Sequence, residues 1–432
     1  MENLECKIMF IFPGQGSQYA GMGSDIHQQY AVARSIYERA GNTLGFDIAA
    51  LSFHDPENKL DLTRYTQVAL LTHSIACLEV FRELTDGRVQ ADIAAGHSLG
   101  EYCALVASGA LSFETALRLV QKRGELMSEY GRGKMLALPM DRDTVKSFID
   151  QFYCGIGGCN LPEQTVVGGR EEDLQAVADF VSSEHRKRST MLNTEGAFHT
   201  YLMIKAAEAY RPFLNEADMT APEIQVLANY SGTYHDPDPA KIKAMLFFQL
   251  FNPVRWTTCM QTAIEDGVHT IIEFGGGIGK GDSPAERRPN LMGITTRIAK
   301  AHNVYIRYLP AINLATIDRA SHVGTGVDDN WFYLLLPEAE GSLTPEAETL
   351  LKQVETLDLT PLVQIIREPA AANLRSLQKV DPNIKAAQPC LTVVVGAETD
   401  AILTYYREDI AERLQELRQH LENSGYHYLS PA

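Results

Sequence analysis

Across its 432 positions the sequence has no run of 18 or more uninterrupted apolar residues, so no membrane-spanning helix is expected. Basic residues are also scarce: 38 Lys and Arg stand against 55 Asp and Glu, a net charge of −17. A general nucleic-acid binder needs the opposite balance to neutralise phosphates, which sets that class aside. A local basic patch can still receive an anionic ligand or an acidic protein. The cysteines, Cys6, Cys77, Cys103, Cys154, Cys159, Cys259 and Cys390, have neither CxxC nor zinc-type spacing. No metal site is therefore expected, and the thiols read as reduced ones in a cytoplasmic protein. Neither a G-x-G-x-x-G nor a Walker sequence is present to cradle a nucleotide phosphate. Internal repeats are lacking too. The amino terminus passes from an acidic start through an apolar run into a Gly-rich turn, which suits a first core strand and not a signal peptide.

What is present is ordinary globular material, 45% hydrophobic and 22% charged, long enough for more than one domain. The run 7–12 reads as a buried strand ending at Pro13-Gly14. Helical spacing follows over 28–44 and 66–84, then a small apolar strand at 92–95, a turn, and helices over 101–108 and 112–130. From 131 to 193 the texture changes. Short strands at 135–139, 164–168 and 188–192 alternate with helices at 142–151 and 171–183, in an order that suggests a small ferredoxin-like subdomain. A helix (200–215), a strand (225–229), two helices (240–250 and 257–265) and a strand (269–274) then resume the first pattern.

The expected architecture is α/β: an α/β-hydrolase-like large domain over 1–130 and 194–312, with the ferredoxin-like subdomain inserted at 131–193. A mainly helical extension is expected over 313–432, with 318–329 irregular and amphipathic helices at 344–356 and 401–422.

Gly96-His97-Ser98-Leu99-Gly100 fits the G-x-S-x-G nucleophile elbow. A serine on a sharp strand-to-helix turn projects its Oγ at a helix N-terminus, where free N–H groups and the helix dipole favour developing negative charge. The competing reading is a Gly-rich turn whose serine only caps a helix. A serine hydroxyl needs a base. His97 adjoins it but points away on a tight turn, which leaves His199 in Gly196-Ala197-Phe198-His199-Thr200, itself open to the reading of a satisfied histidine at a helix start. An oxyanion needs two donors. One is expected from the backbone N–H of Leu99, the other from the loop Gly14-Gln15-Gly16-Ser17-Gln18.

Six motifs in order carry a resemblance. They are Phe12-Pro13-Gly14-Gln15-Gly16-Ser17-Gln18, Gly96-His97-Ser98-Leu99-Gly100-Glu101-Tyr102, Gln121-Lys122-Arg123-Gly124, Gly196-Ala197-Phe198-His199, Gln249 to Trp256, and Glu273-Phe274-Gly275. Over about 7–312 the chain resembles the malonyl-CoA:acyl-carrier-protein transacylases of fatty acid synthesis and the acyltransferases of polyketide synthases, in their free-standing, trans-acting form. The resemblance implies Ser98 as nucleophile and His199 as general base, with Gln249 supplying a backbone carbonyl to orient the imidazole. It implies Gln15 and Leu99 as the oxyanion hole. Arg123 is implied to pair with the malonyl carboxylate, a match for a guanidinium fork, with Phe198 and Met127 also substrate-binding. Leu99 and Phe198 are similar to malonyl-selecting members.

The implied reaction is ping-pong transfer, with malonyl-CoA as substrate and no bound cofactor or metal. The implied partners are a coenzyme A thioester and a phosphopantetheinylated acyl carrier protein, with neither nucleic acid nor membrane, and the protein is expected as a monomer. The alternatives are a hydrolase that clears acyl groups from carriers, a non-catalytic carrier-binding scaffold, or a transferase for another acyl unit.

Three positions depart from the family pattern. Gly275-Gly276-Gly277 lacks a central proline, residues 278–290 hold a polar insertion at Gly281-Asp282-Ser283-Pro284, and Lys134 stands where a small residue is usual.

Overall fold

The computed structural model describes residues 7–281, 283–302, 304 and 306–321, and, farther on, 332–339, 342–343, 352, 363–369, 392–395 and 427–429. The chain divides into two compact units, Met1–Ser321 and His322–Ala432. In chain order the first unit opens with β1 (Lys7–Phe12), α1 (Ser24–Gln29), α2 (Ala31–Leu44), α3 (Ile48–His54), α4 (Thr63–Leu84), β2 (Ile93–Gly96), α5 (Gly100–Ala107) and α6 (Phe113–Tyr130). It continues with β3 (Lys134–Leu138), α7 (Arg142–Lys146), β4 (Gly155–Leu161), β5 (Gln164–Gly169), α8 (Glu171–Glu184) and β6 (Thr190–Leu192). It closes with α9 (Ile204–Glu216), β7 (Gln225–Val226), α10 (Pro239–Gln249), α11 (Trp256–Glu265), β8 (Val268–Phe274), α12 (Met292–Ala301), β9 (Arg307–Ala311) and α13 (Leu314–Ser321).

The first unit is a mixed α/β structure around a parallel sheet in the order β7-β2-β1-β8-β9. A parallel sheet covered on both faces wants continuous apolar strands, and Met9, Phe10, Ile11 and Phe12 of β1 are all buried. Helix α4 is buried all round from 66 to 78, its polar Thr66, Gln67, Thr72, His73 and Ser74 included. Caps set several boundaries: Ser112 accepts from Thr115 N–H at the start of α6, and Asp238 with Pro239 opens α10. In the β1–β2 register Phe12 faces Gly96. The loop after β1 and the turn after β2 therefore leave the sheet side by side at its carboxyl edge, where open α/β sheets bind ligands.

Residues 134–192 form a second, antiparallel sheet in the order β4-β5-β3-β6. Its own core includes Leu136, Leu138, Phe148, Val167, Leu174 and Val177. This sheet is fastened to the parallel one through Val254: Cys159 N–H donates to Val254 O at 2.8 Å, and Val254 N–H to Gly157 O at 3.1 Å.

Several expectations are corrected in detail. The helix expected over 142–151 stops at Lys146 and tightens into a 3-10 turn, Ile149–Phe152, which turns Phe148 and Ile149 into the small core. The helix over 28–44 is broken at Tyr30, whose backbone is extended. The glycine-rich strand β4 gives almost no apolar alternation, which is why the pattern misses it. Residues 318–321 are helical in α13 and not irregular.

In the second unit the described residues, the helical Lys352 apart, are strands, which the expectation of a mainly helical extension did not include. They form β10 (Phe332–Ala339), β11 (Ser342–Leu343), β12 (Val363–Pro369), β13 (Thr392–Val395) and β14 (His427–Leu429), in one sheet in which β10 pairs with β11, β12 and β13, and β13 with β14. Runs such as Thr392-Val393-Val394-Val395 are β-branched and favour strands. The helices expected at 344–356 and 401–422 lie, Lys352 apart, outside the described residues.

Gly100 marks where α5 meets β1: a Cβ there would stand 2.1 Å from the Phe12 carbonyl oxygen. Neither backbone can move cheaply. Gly100→Ala should therefore destabilise the first unit by about 1–3 kcal/mol, read as a lowered melting temperature in thermal unfolding of the full chain.

Candidate active site

The strand β2 ends at Gly96, α5 starts at Gly100, and Ser98 between them has φ +55°, a left-handed backbone that costs a non-glycine residue about 1–3 kcal/mol. A Cβ on Gly96 would lie 1.9 Å from the Gly100 carbonyl group, so both glycines of the motif are steric requirements. Asn229 latches the turn. Its Oδ1 accepts from Ser98 N–H at 2.6 Å, and its Nδ2 donates to Gly96 O at 2.8 Å.

The structure brings Ser98, His199 and Gln249 together. Ser98 Oγ lies 2.7 Å from His199 Nε2, and His199 Nδ1 lies 2.7 Å from the Gln249 backbone carbonyl. A carbonyl only accepts, so Nδ1 carries the ring proton and Nε2 is left to accept from the serine. His199 is buried (6% exposed) with φ +60°. Burial, and then the nearby Arg123 cation, push its pKa down to about 3, against a smaller upward pull from the Gln249 carbonyl. The imidazole is thus neutral and ready to take a proton. Because the unfolded chain binds that proton near pH 6.5, this group's contribution to stability is complete above 6.5 and is lost as pH falls toward 3.

Arg123 enters from α6. Gly124 lets α6 approach α4, since a Cβ there would lie 2.9 Å from Arg64 Cα. The guanidinium is 1% exposed. Its Nη2 donates to Ser98 Oγ (3.1 Å) and Gln249 Oε1 (3.0 Å), and its Nη1 to Gln67 Oε1 (2.8 Å). Among the described residues it makes no ion pair, and its Nε has no hydrogen-bond acceptor. Met127 is one step removed, its sulfur accepting from Gln67 Nε2 at 3.4 Å. Phe198 is buried, its ring against Gly196. The Gln15 loop lies on the elbow, for a Cβ on Gly14 would be 2.4 Å from His97 O, but the Gln15 amide donates to Thr63 Oγ1 (3.1 Å) and not to a catalytic group. Leu99 is buried at the start of α5.

This constellation on this fold can be set beside known proteins. The family model described as "Acyl transferase domain" matches residues 9–275. The chain belongs to the acyl transferase domain family. It is 39% identical over 280 residues to the malonyl CoA-acyl carrier protein transacylase of Bacillus subtilis strain 168, covering 63% of this chain and 87% of that protein. Among solved structures it is similar to the malonyl CoA-acyl carrier protein transacylase of Clostridium perfringens, with TM-score 0.66 and 30% identity, over 73% of this chain and 96% of that one. It is also similar, at TM-score 0.65 and 30% identity over 73% and 99%, to a malonyl-transacylase solved in complex with a type II PKS acyl-carrier protein.

Within this acyltransferase the remaining expectations separate. His97 is turned from Ser98: its Nε2 bonds Asn160 Oδ1 at 2.8 Å and its ring lies 5.6 Å from Trp256. Lys134 donates to the Thr194 carbonyl at 3.0 Å. Gly276 has φ +66°, which a proline ring fixed near −65° cannot adopt, and its N–H donates to His73 Nδ1 at 3.0 Å. The missing proline is therefore matched by the local backbone. The insertion is closed by Ser283 and Glu286 in a capping box and by Asn313 Nδ2 donating to Pro284 O. Among the described residues, no helix is long and apolar enough to cross a membrane.

Sequence reasoning assigned no role to Gln67, Asn229 or Glu101. Gln67 stands among other polar residues of α4, such as Thr66, Thr72, His73 and Ser74, and nothing in the spacing singles it out. Asn229 closes the apolar run 226–228, and nothing local announces its task.

The depressed basicity of His199 sets the acid limit of serine reactivity. With a neutral serine-directed ester as probe, the labelling rate of Ser98 should stay level from about pH 8 to about pH 5, where an ordinary histidine would already have cost most of it. Arg123→Ala should move the acid limb upward while burial still holds it below 6.5. A wild-type rate that halves near pH 6.5 would contradict this assignment.

Proposed function

We propose that this acyltransferase moves a malonyl group from malonyl-CoA, through an ester on Ser98, to the phosphopantetheine thiol of an acyl carrier protein in fatty acid or polyketide biosynthesis. The observation that carries the substrate is the buried Arg123, 3.1 Å from Ser98 Oγ with only neutral partners. A desolvated guanidinium without a counter-ion is costly. A substrate carboxylate would supply that counter-ion in the pocket where the acyl group must sit.

In the first half-reaction His199 Nε2 takes the Ser98 proton as Oγ attacks the malonyl thioester carbonyl. The tetrahedral intermediate collapses by breaking the C–S bond, and the proton returns to coenzyme A. In the second half-reaction His199 takes the carrier thiol's proton, the thiolate attacks the ester carbonyl, and Ser98 leaves and regains the proton. Gln249 keeps the imidazole aimed throughout. Ser98 N–H is engaged by Asn229, which supports Leu99 N–H as the elbow's oxyanion donor. Gln15 supplies the second donor from the adjoining loop once it leaves Thr63. Phe198 and Met127 shape the acyl pocket, Met127 by way of Gln67. No cofactor or metal takes part in these steps.

We read the fold as an α/β-hydrolase-like large domain with a ferredoxin-like insertion over 131–193. The order β4-β5-β3-β6, all antiparallel, supports the insertion. The five described cysteines are free and buried, in keeping with a cytoplasmic enzyme. The malonyl-transacylase solved with its carrier protein supports a carrier as acceptor.

Intact-protein mass spectrometry tests the reading. Brief exposure to malonyl-CoA should give one malonyl adduct that moves to an added holo carrier protein, and Ser98→Ala should give none. An adduct lost to water with the carrier left unloaded would assign a hydrolase instead. Arg123→Ala should slow malonyl loading by about 10²-fold or more, while loading from acetyl-CoA gains relative to it. Malonyl loading at the parent rate would sink the carboxylate pairing.

A further inference from the structure

Glu101 lies three residues beyond the nucleophile in the first turn of α5, 0% exposed, and takes no part in the steps above. Its two oxygens accept from three donors. Oε2 receives the Gln249 side-chain amide at 2.8 Å and the Asn229 backbone N–H at 3.0 Å, and Oε1 receives His235 Nε2 at 2.8 Å. The donors come from three separate places: the end of α10, the segment after β7, and the loop before α10.

Two of these partners touch the reacting groups directly. Gln249 Nε2 also donates to Ser98 O at 2.9 Å, its Oε1 accepts from Arg123, and its backbone carbonyl orients His199. Asn229 holds both ends of the left-handed turn at Ser98. The Gln249 amide has one arrangement that satisfies this surrounding. Glu101 and the Ser98 carbonyl only accept, so the NH2 must face them and the oxygen must face Arg123. Remove the acceptor at 101 and that discrimination weakens.

We propose that Glu101 is a positioning residue for the reaction, setting the geometry of Ser98 and His199 through Asn229 and Gln249. It stands one residue removed from where a triad carboxylate would act on the histidine. The inference deepens the proposed reading and rests on its assignment of Ser98 and His199. A glutamine can keep part of this arrangement, its oxygen accepting from Gln249 and Asn229 while its NH2 donates to His235 Nε2 in the Nδ1–H tautomer, so the substitution that removes the acceptor is alanine.

The test uses the full chain carrying Glu101→Ala or Glu101→Asp, with Glu101→Gln and His235→Gln for comparison. A fluorophosphonate probe reads the Ser98–His199 pair alone, with no need of malonyl or carrier recognition. The labelling rate should fall on the order of 10²-fold in Glu101→Ala, as for a misplaced catalytic group, and less in Glu101→Asp, Glu101→Gln and His235→Gln. The acid limb of the labelling profile should shift in Glu101→Ala, because Gln249, whose backbone carbonyl meets His199, loses an anchor of its side chain. The KM for malonyl-CoA should stay within about twofold, since Arg123 keeps Gln67 and charge-assisted binding is retained.

Glu101→Ala labelling at the parent rate overturns the proposal. So does a fall in rate accompanied by an equal rise in KM with the pH profile unmoved, which is the mark of general loosening. If Glu101→Ala does not fold, Glu101→Asp, which withdraws the carboxyl group from Gln249, is judged by the same criteria. Equal labelling of the parent and of Ser98→Ala would overturn the reading of Ser98 and this inference with it, whereas normal parent labelling with an unaffected Glu101→Ala overturns the inference alone.

Discussion

The left-handed backbone at Ser98 is the constraint around which the first unit is arranged. It requires glycine at 96 and at 100, because a Cβ at either position would run into backbone. It also requires β1 and β2 to end together, so that the loop carrying Gln15 and the turn carrying Ser98 leave the sheet at the same edge. The strain persists because Asn229 holds Ser98 N–H and Gly96 O with one side chain. Asn229 in turn follows β7, whose two-residue pairing with β2 puts it beside the elbow. The short outer strand of the sheet thus serves the reactive centre more than it serves the core.

Electrostatically the site holds two cation-capable groups and keeps only one charged. Burial and the Arg123 guanidinium both work against protonation of His199. Under the proposed function, the same field that keeps His199 neutral would also draw a substrate carboxylate toward Ser98. On that reading, recognition of an acidic acyl group and preparation of the base are one physical effect seen from two sides.

The elbow was legible because its geometry is local: five consecutive residues with glycine two positions either side of a serine specify the turn. Of the parallel strands, β1, β2, β7 and β8 were legible, while β9, Arg307–Ala311, with its arginine and proline, was not. His199 could not be distinguished from a satisfied helix-start histidine by spacing, and its role came only from the resemblance. Its partners, Ser98 and Gln249, are 101 and 50 positions away. Asn229 and Gln67 act over 131 and 56 positions, at separations with no periodicity to betray them. The strand β4 was hidden by its own glycines. One of them, Gly157, is needed because a Cβ would come within 2.8 Å of the Phe198 carbonyl oxygen. In the second unit the described strands lie outside the two segments expected as helices, and the sequence reading had not marked them.

The separation of Ser98 from Gln249 along the chain, 151 positions, also bears on how the protein comes into being. Ribosomes add roughly 5–20 residues each second, so the nucleophile emerges many seconds before the carbonyl that aims its base. Until α10 has been made and docked, the elbow lacks both the imidazole's anchor and the amide that braces Ser98 O. An interrupted product ending short of α10 would carry the complete G-x-S-x-G sequence without the Gln249 carbonyl that meets His199 or the amide that meets Ser98 O.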